Sequence, residues 1–271
     1  MSRNSVHAAC AVGFFMWTGA LFAQSSAENI TVPLSRPAEP MTLNIDLMSA
    51  QIEVIGEDRK DAQLSVTMLS GGRKIKTPSG TKALTGGSGA LEVEERDNVI
   101  SVESEMPMGK VAIVARVPRR SNLTLSTVQD GEITVRDVTG TLQLENVNGP
   151  ITALSINGAV IAESVNGAIN VGFATINASE ATALSSISGD IKLTLPAKAA
   201  VELRLDSAQG QIESDFELDV KPSKPSVVRN EGRNGVSVRV EDVIVAAVNG
   251  GGPVIKLKTL NGTIRIANSA K

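Results

Sequence analysis

The sequence predicts an all-β protein: a single-stranded, parallel β-helix-like solenoid of short, Gly-punctuated strands, right-handed by analogy with parallel crossovers. Three observations predict it. Between Gly131 and Gly167 a glycine falls at every ninth residue, at Gly131, Gly140, Gly149, Gly158 and Gly167. Two and four residues after each glycine the side chains are apolar: Ile133 and Val135, Leu142 and Leu144, Ile151 and Ala153, Val160 and Ala162, Ile169 and Val171. The residue before it is Asp130, Thr139, Asn148, Asn157 or Asn166, and Asn and Asp tolerate the positive φ of a tight turn.

Each element follows from these patterns. Side chains alternate along a strand, so the second and fourth positions after the glycine share one face, and that face is the core. Apolar residues recur two positions before the glycine, at Val138, Val147, Ile156 and Val165. Asn-Gly between apolar runs also signals a hairpin, which makes an antiparallel meander the alternative. Identical corners at both ends of every strand favour instead a coil with one strand on each of two faces, about 18 to 22 residues per turn. The pattern continues at Ser188-Gly189-Asp190-Ile191, Gln209-Gly210-Gln211-Ile212 and Asn261-Gly262-Thr263-Ile264. The steps from Gly167 to Gly189 and on to Gly210 each fit one full coil, with Val201–Leu205 supplying a second face. Upstream, Met48, Ile52 and Val54 keep the register around Ala50, so the solenoid is expected over residues 41–268. Two stretches, near 70–90 and 220–235, read from their Gly, Ser, Thr, Lys and Pro content as loop insertions.

The N-terminus predicts export. Arg3 precedes an uncharged run from Ala8 to Ala23 that contains Phe14, Phe15, Trp17, Leu21 and Phe22, the pattern of a cleavable signal peptide over residues 1–23. Cleavage is expected after Ala23, with Ala20 the neighbouring alternative. The apolar part falls short of the roughly 20 residues a membrane-crossing helix needs, and Cys10 lies too early in the run for a lipid-attachment cysteine. Residues 24–40 form a leader to the solenoid and 269–271 a C-terminal tail. The expected location is the periplasm, or the extracellular space or cell surface, with no membrane-spanning segment in the mature chain.

Composition excludes several chemistries. His7, Cys10 and Trp17 are the only residues of their types, so residues 24–271 contain none of the three, and Phe173 and Phe216 are their only aromatics. Disulfides, Cys/His zinc sites and His-dependent nucleophilic triads are thereby excluded from the mature chain. All 29 acidic residues and all but one of the 26 basic ones lie beyond residue 23. A slightly acidic chain with almost no stacking side chains does not suit nucleic acid. Glu213, Asp215, Glu217 and Asp219 alternate with Ser214, Phe216, Leu218 and Val220, which on one strand would put four carboxylates on one face. Such a row can hold Ca²⁺, but a solvated strand face that discourages edge pairing is the preferred reading. Asn148, Asn157 and Asn166 are expected to bond one another and the turn backbone. Arg119 with Arg120, and Arg73 with Lys74 and Lys76, form small basic surface clusters. No catalytic, cofactor-binding or metal-ligating residue is expected, and no cofactor.

The serial Asn-Gly-x-Ile units, Val248-Asn249-Gly250-Gly251-Gly252-Pro253 and the run Thr259-Leu260-Asn261-Gly262-Thr263-Ile264-Arg265-Ile266 together resemble the DUF4097 family of bacterial exported proteins, which carries an adhesin label. The resemblance covers roughly residues 41–268 and implies a β-helix-like solenoid, a surface or periplasmic interaction role, and no catalytic residues. The expected function is an exported, non-catalytic, adhesin-like or envelope-associated binding protein whose partner is an envelope polymer or protein. A polysaccharide-active β-helix enzyme is one alternative. A structural, self-assembling envelope protein is the other, pairing copies through a solenoid end formed by the last strand, Gly262–Asn268.

Overall fold

The computed structural model describes residues 28–70, 91–104, 109–176, 181–221, 226–232, 235–241 and 243–270. All regular structure in them is β. In chain order the strands are β1 (Glu28–Pro33), β2 (Met41–Leu47), β3 (Ala50–Glu57), β4 (Asp61–Ser70), β5 (Leu91–Arg96), β6 (Val99–Ser104), β7 (Lys110–Pro118) and β8 (Ser121–Thr127). A regular series follows: β9 (Glu132–Arg136), β10 (Leu142–Asn148), β11 (Ile151–Asn157), β12 (Val160–Asn166), β13 (Ile169–Thr175), β14 (Thr182–Ser188), β15 (Ile191–Leu195), β16 (Val201–Gln209) and β17 (Ile212–Ser214). The chain closes with β18 (Asp219–Lys221), β19 (Ser226–Gly232), β20 (Gly235–Glu241), β21 (Ile244–Val248), β22 (Val254–Asn261) and β23 (Ile264–Asn268).

From β7 to β18 successive strands alternate between two sheets. Sheet A has the order β1-β4-β7-β3-β9-β11-β13-β15-β23-β17, and sheet B the order β18-β21-β16-β22-β14-β12-β10-β8-β2-β6-β5. The central pairings are parallel and in register, with Ile151 beside Ile133 and Ile169, and Leu142 beside Leu123 and Val160. One strand in each sheet makes one coil, so the fold is the predicted two-faced solenoid and not a meander. Inward side chains at the second and fourth positions after the corner glycines, such as Ile133, Val135, Leu142, Leu144, Ile151 and Ile169, are completely buried. Burying each large aliphatic side chain contributes about 1.5–3 kcal/mol, and the same positions in every coil form one continuous core.

Chain order and coil order differ at both ends. Along the axis the coils run β6/β7, β2/β3, β8/β9, β10/β11, β12/β13, β14/β15, β22/β23, β16/β17. The first two and the last two are each exchanged relative to the sequence. This corrects two expectations. Gly210 does not stack on Gly189: the coil carrying Gly262 lies between them, with β22 parallel to both β14 and β16. The strand before the C-terminus is not a free end either, because β23 pairs with β15 on one side and β17 on the other.

Antiparallel strands cover much of both ends. At one end β4 pairs with β7, β1 with β4, and β5 with β6. At the other, β21 pairs with β16 and β18 with β21, while the edge of sheet A is the short β17. The stretch read as a leader contains β1. Of the two expected insertions, residues 71–90 lie outside the described residues, and 220–235 includes part of an antiparallel hairpin formed by β19 and β20.

Candidate functional site

The solenoid has two corners of different character. Where the chain passes from sheet B to sheet A the connections are Gly149-Pro150, Gly167-Ala168, Gly189-Asp190, Gly210-Gln211 and Gly262-Thr263. These glycines stack in spatial order Gly131, Gly149, Gly167, Gly189, Gly262, Gly210. A Cβ on any after the first would sit inside the van der Waals shell of the carbonyl oxygen of the glycine below. Close approach of one coil's backbone to the next therefore demands glycine at this corner.

A polar residue three positions before the glycine turns inward and holds the same carbonyls. Asn146 Nδ2 donates to the Gly131 oxygen at 3.0 Å, Ser186 Oγ to Gly167 at 3.1 Å, Thr259 Oγ1 to Gly189 at 3.0 Å and Ser207 Oγ to Gly262 at 3.2 Å. Ser164 occupies the same place in its coil. These buried groups were missed from the sequence, although the triplet [N/S/T]-x-[N/S/Q] before glycine is visible in Asn146-Val147-Asn148, Ser186-Ile187-Ser188 and Ser207-Ala208-Gln209. The asparagines that were singled out bond along the stack. Asn166 Nδ2 donates to Asn148 Oδ1 at 3.0 Å, Asn148 Nδ2 to the Val128 carbonyl at 3.1 Å, and Asn157 Nδ2 to Thr139 Oγ1 at 3.4 Å.

The other corner, from sheet A to sheet B, is where the chain departs. It begins with Gly140 and Gly158, but the connection from β3 to β6 contains β4 and β5, and that from β17 to β22 contains β18 to β21. Arg119 and Arg120 lie on this edge, and Arg119 is 3.8 Å from Asp137. The second basic cluster, Arg73, Lys74 and Lys76, lies outside the described residues.

The expected four-carboxylate face does not form. Strand β17 stops at Ser214, whose hydroxyl accepts from the Phe216 N–H at 3.0 Å and turns the chain, and Asp219 belongs to β18 in the opposite sheet. Glu213 and Asp215 instead flank Arg265, at 2.7 and 3.6 Å. Among the described residues no group of three or more carboxylates is placed to share a metal ion.

The outer faces remain. On sheet A a shallow open depression crosses β7, β3 and β9, floored by Gln51, Glu53, Val114, Glu132, Thr134 and Arg136. Arg136 lies 3.9 Å from Glu53, and Thr134 Oγ1 donates to Glu132 at 3.4 Å. It offers hydrogen-bonding groups of both signs and no aromatic ring. On sheet B the Lys221 ammonium, 2.8 Å from Glu202, holds the Glu202 carboxyl below its ordinary range, with Arg204 adding to the effect. At the other end the Ser35 N–H and hydroxyl and the Asn98 N–H do the same for Glu95 and tie the segment before β2 to the β5–β6 turn.

Together these features define a two-sheeted β-solenoid with one tight, glycine-stacked corner and one open to insertion. Residues 121–243, from β8 through β20, match the family model Toastrack DUF4097. Solved structures with similarity include a "putative cell adhesion protein" from Clostridium sporogenes, at 10% identity, covering 90% of this chain and 100% of that one, with a TM-score of 0.45. A "putative adhesin" from Bacteroides fragilis shows 14% identity over 90% and 97% of the two chains at a TM-score of 0.37. One from Parabacteroides distasonis shows 9% identity over 90% and 98% at 0.24. No curated protein matches the sequence.

Proposed function

We propose that this chain is exported by its N-terminal segment and acts in the cell envelope or at the cell surface as a non-catalytic, adhesin-like binding protein. The observation that carries the reading is the inequality of the two corners. Among the described residues the connections that contain further strands leave the solenoid from the sheet A to sheet B edge, so a rigid core presents variable chain along one line, as binding loops on rigid scaffolds do. Residues 24–271 bring no histidine or cysteine to act as base or nucleophile. The depression on sheet A has hydrogen-bonding groups for a polar polymer. It lacks the aromatic platform that usually accompanies sugar cleavage.

Pull-down from solubilised envelope fractions, with a polysaccharide array in parallel, tests this. A saturable partner that is lost on deleting residues 226–241, with the melting transition retained, is the expected result. Cleavage of an oligosaccharide by the purified chain would refute the non-catalytic reading. Full binding after that deletion and after deleting residues 71–90 would remove the insertions as the binding elements.

A further inference from the structure

Six asparagines are followed by glycine: Asn148, Asn157, Asn166, Asn234, Asn249 and Asn261. This pair carries a latent reaction. Glycine has no side chain to shield its peptide nitrogen, so that nitrogen can attack the preceding side-chain amide carbon when the amide is free to swing against it. Asn234 lies outside the described residues, and the fold treats the other five differently. Asn148 and Asn166 each spend an amide donor along the glycine stack. Asn157 is held between the Thr139 and Thr175 hydroxyls. Asn249 lies in the exposed turn before β22, but its amide nitrogen donates to the carbonyls of Ala197 and Ala199 at 3.1 and 2.8 Å. The Asn261 side chain is exposed and has no hydrogen-bond partner among the described residues.

We propose that Asn261 is a deamidation site, the first of the five described Asn-Gly pairs to convert. The Gly262 nitrogen bonds to Asn261 Cγ and gives up its proton, the Cγ–Nδ2 bond breaks, and the amide leaves with that proton as ammonia. Water then adds to either carbonyl of the cyclic imide, and the ring opens to Asp or to isoAsp at position 261. An amide hydrogen bond that must break before attack slows this reaction about fivefold. The two bonds of Asn249 therefore slow it about 25-fold, which reverses the order that exposure of its turn would give. Position adds to the difference. Among the described residues the β16/β17 coil alone lies beyond Gly262 on the axis, and its sheet A strand is three residues long, so the corner at Gly262 opens with the end of the solenoid. The products differ in what they do to this corner. Asp keeps the course of the main chain. IsoAsp routes it through the side-chain carbon, which lengthens it just before Gly262, whose carbonyl accepts from Ser207 Oγ at 3.2 Å and lies against Gly210. The Asn261 carbonyl, which accepts from the Gly189 N–H at 3.1 Å, then leaves the main chain as a carboxylate. IsoAsp thus loosens the last two coils, and Asp leaves them stacked.

This inference does not rest on the binding role proposed above. It is tested by ageing the purified full chain in mildly alkaline buffer and mapping the amide-to-acid conversion by mass spectrometry after trypsin. Cleavage after Lys258 and Arg265 isolates Asn261, and cleavage after Arg233 and Arg239 keeps Asn234 apart. The expected result is conversion of Asn261 at least about fivefold faster than Asn148, Asn157, Asn166 and Asn249. In chain unfolded in urea the five rates should converge. The isoAsp form should melt earlier than the Asn261→Asp variant. Conversion of any of the other four ahead of Asn261 in the folded chain would overturn the proposal, and so would the same ranking in the unfolded chain. An isoAsp form that melts together with Asn261→Asp would overturn the loosening.

Discussion

The two corners of this solenoid do the same topological job under different constraints. At the sheet B to sheet A corner, the glycine carbonyls from Gly131 onward each lie against the next glycine of the stack, and those of Gly131, Gly167, Gly189 and Gly262 accept from the side chain three residues before that next glycine. An inserted residue would separate both contacts at once. At the opposite corner the stacking of Gly140 and Gly158 has no successor in the next coil, where Thr175 follows β13's core residues and the chain takes a longer path to β14. The long excursions leave there. The comparison teaches that one edge fixes the coil and the other is free to vary, and that at the C-terminal end chain order departs from coil order while Gly262 and Gly210 still continue the glycine stack.

The largest expected effect breaks both corners together. Ile169→Asp would place a carboxylate at a fully buried position between Ile151 and Ile191 and should cost more than about 4 kcal/mol, enough to abolish the cooperative melt. Glu163→Lys, on an outward face, should shift stability by less than about 0.5 kcal/mol. Next, Gly167→Ala should cost about 3 kcal/mol by urea titration, since the new methyl meets the Gly149 carbonyl. Gly172→Ala, whose methyl would meet the flexible end of Leu154 at 3.2 Å and otherwise make ordinary contact with Thr194, should cost less than about 1 kcal/mol. Thr259→Val keeps the shape but removes the hydroxyl that donates to the Gly189 carbonyl, and should cost about 1 kcal/mol.

The smallest effect is an acid-dependent one at the N-terminal end. Glu95 is held below its free value of 4.5 by the Ser35 and Asn98 groups, so it favours the folded state above that pH and loses this contribution as pH falls through its lowered folded value. Protection factors across residues 34–40, with the intrinsic pH dependence of exchange divided out, should therefore fall on acidification below pH 4.5, and Glu95→Gln should flatten the dependence. Unchanged protection factors in the wild-type chain would detach that segment from Glu95.

How much was legible follows from the same comparison. Strand alternation after each glycine made the core readable, because Ile133, Leu142, Ile151, Val160 and Ile169 obey one local rule in either sheet. The residues two before the glycine did not divide by sequence. Val138 and Ile156 are fully buried while Val165 is exposed and Val147 partly so. The reason is backbone geometry: Asp137 and Ser155 take positive φ, 58° and 59°, which breaks the alternation and turns the following residue inward. At the tight corner alternation continues, so Asn146 and Ser164 point in and the valines out. A nine-residue sequence repeat thus hides an 18-residue structural one. The exchanged terminal coils were illegible for another reason. Gly189, Gly210 and Gly262 carry the same local motif, and nothing within it says which stacks on which. The carboxylate row failed because alternation was extended past Ser214, where a side-chain hydrogen bond ends the strand.

Coil order is the point on which the account is most directly testable. Lys192 and Arg265 are register neighbours on β15 and β23, and Arg265 in turn neighbours Glu213 on β17. In a Cys10→Ser background, Lys192→Cys with Arg265→Cys should form an intramolecular disulfide on mild oxidation, and Lys192→Cys with Glu213→Cys should not. A disulfide in the second pair and none in the first would put the coils in sequence order and contradict the architecture described.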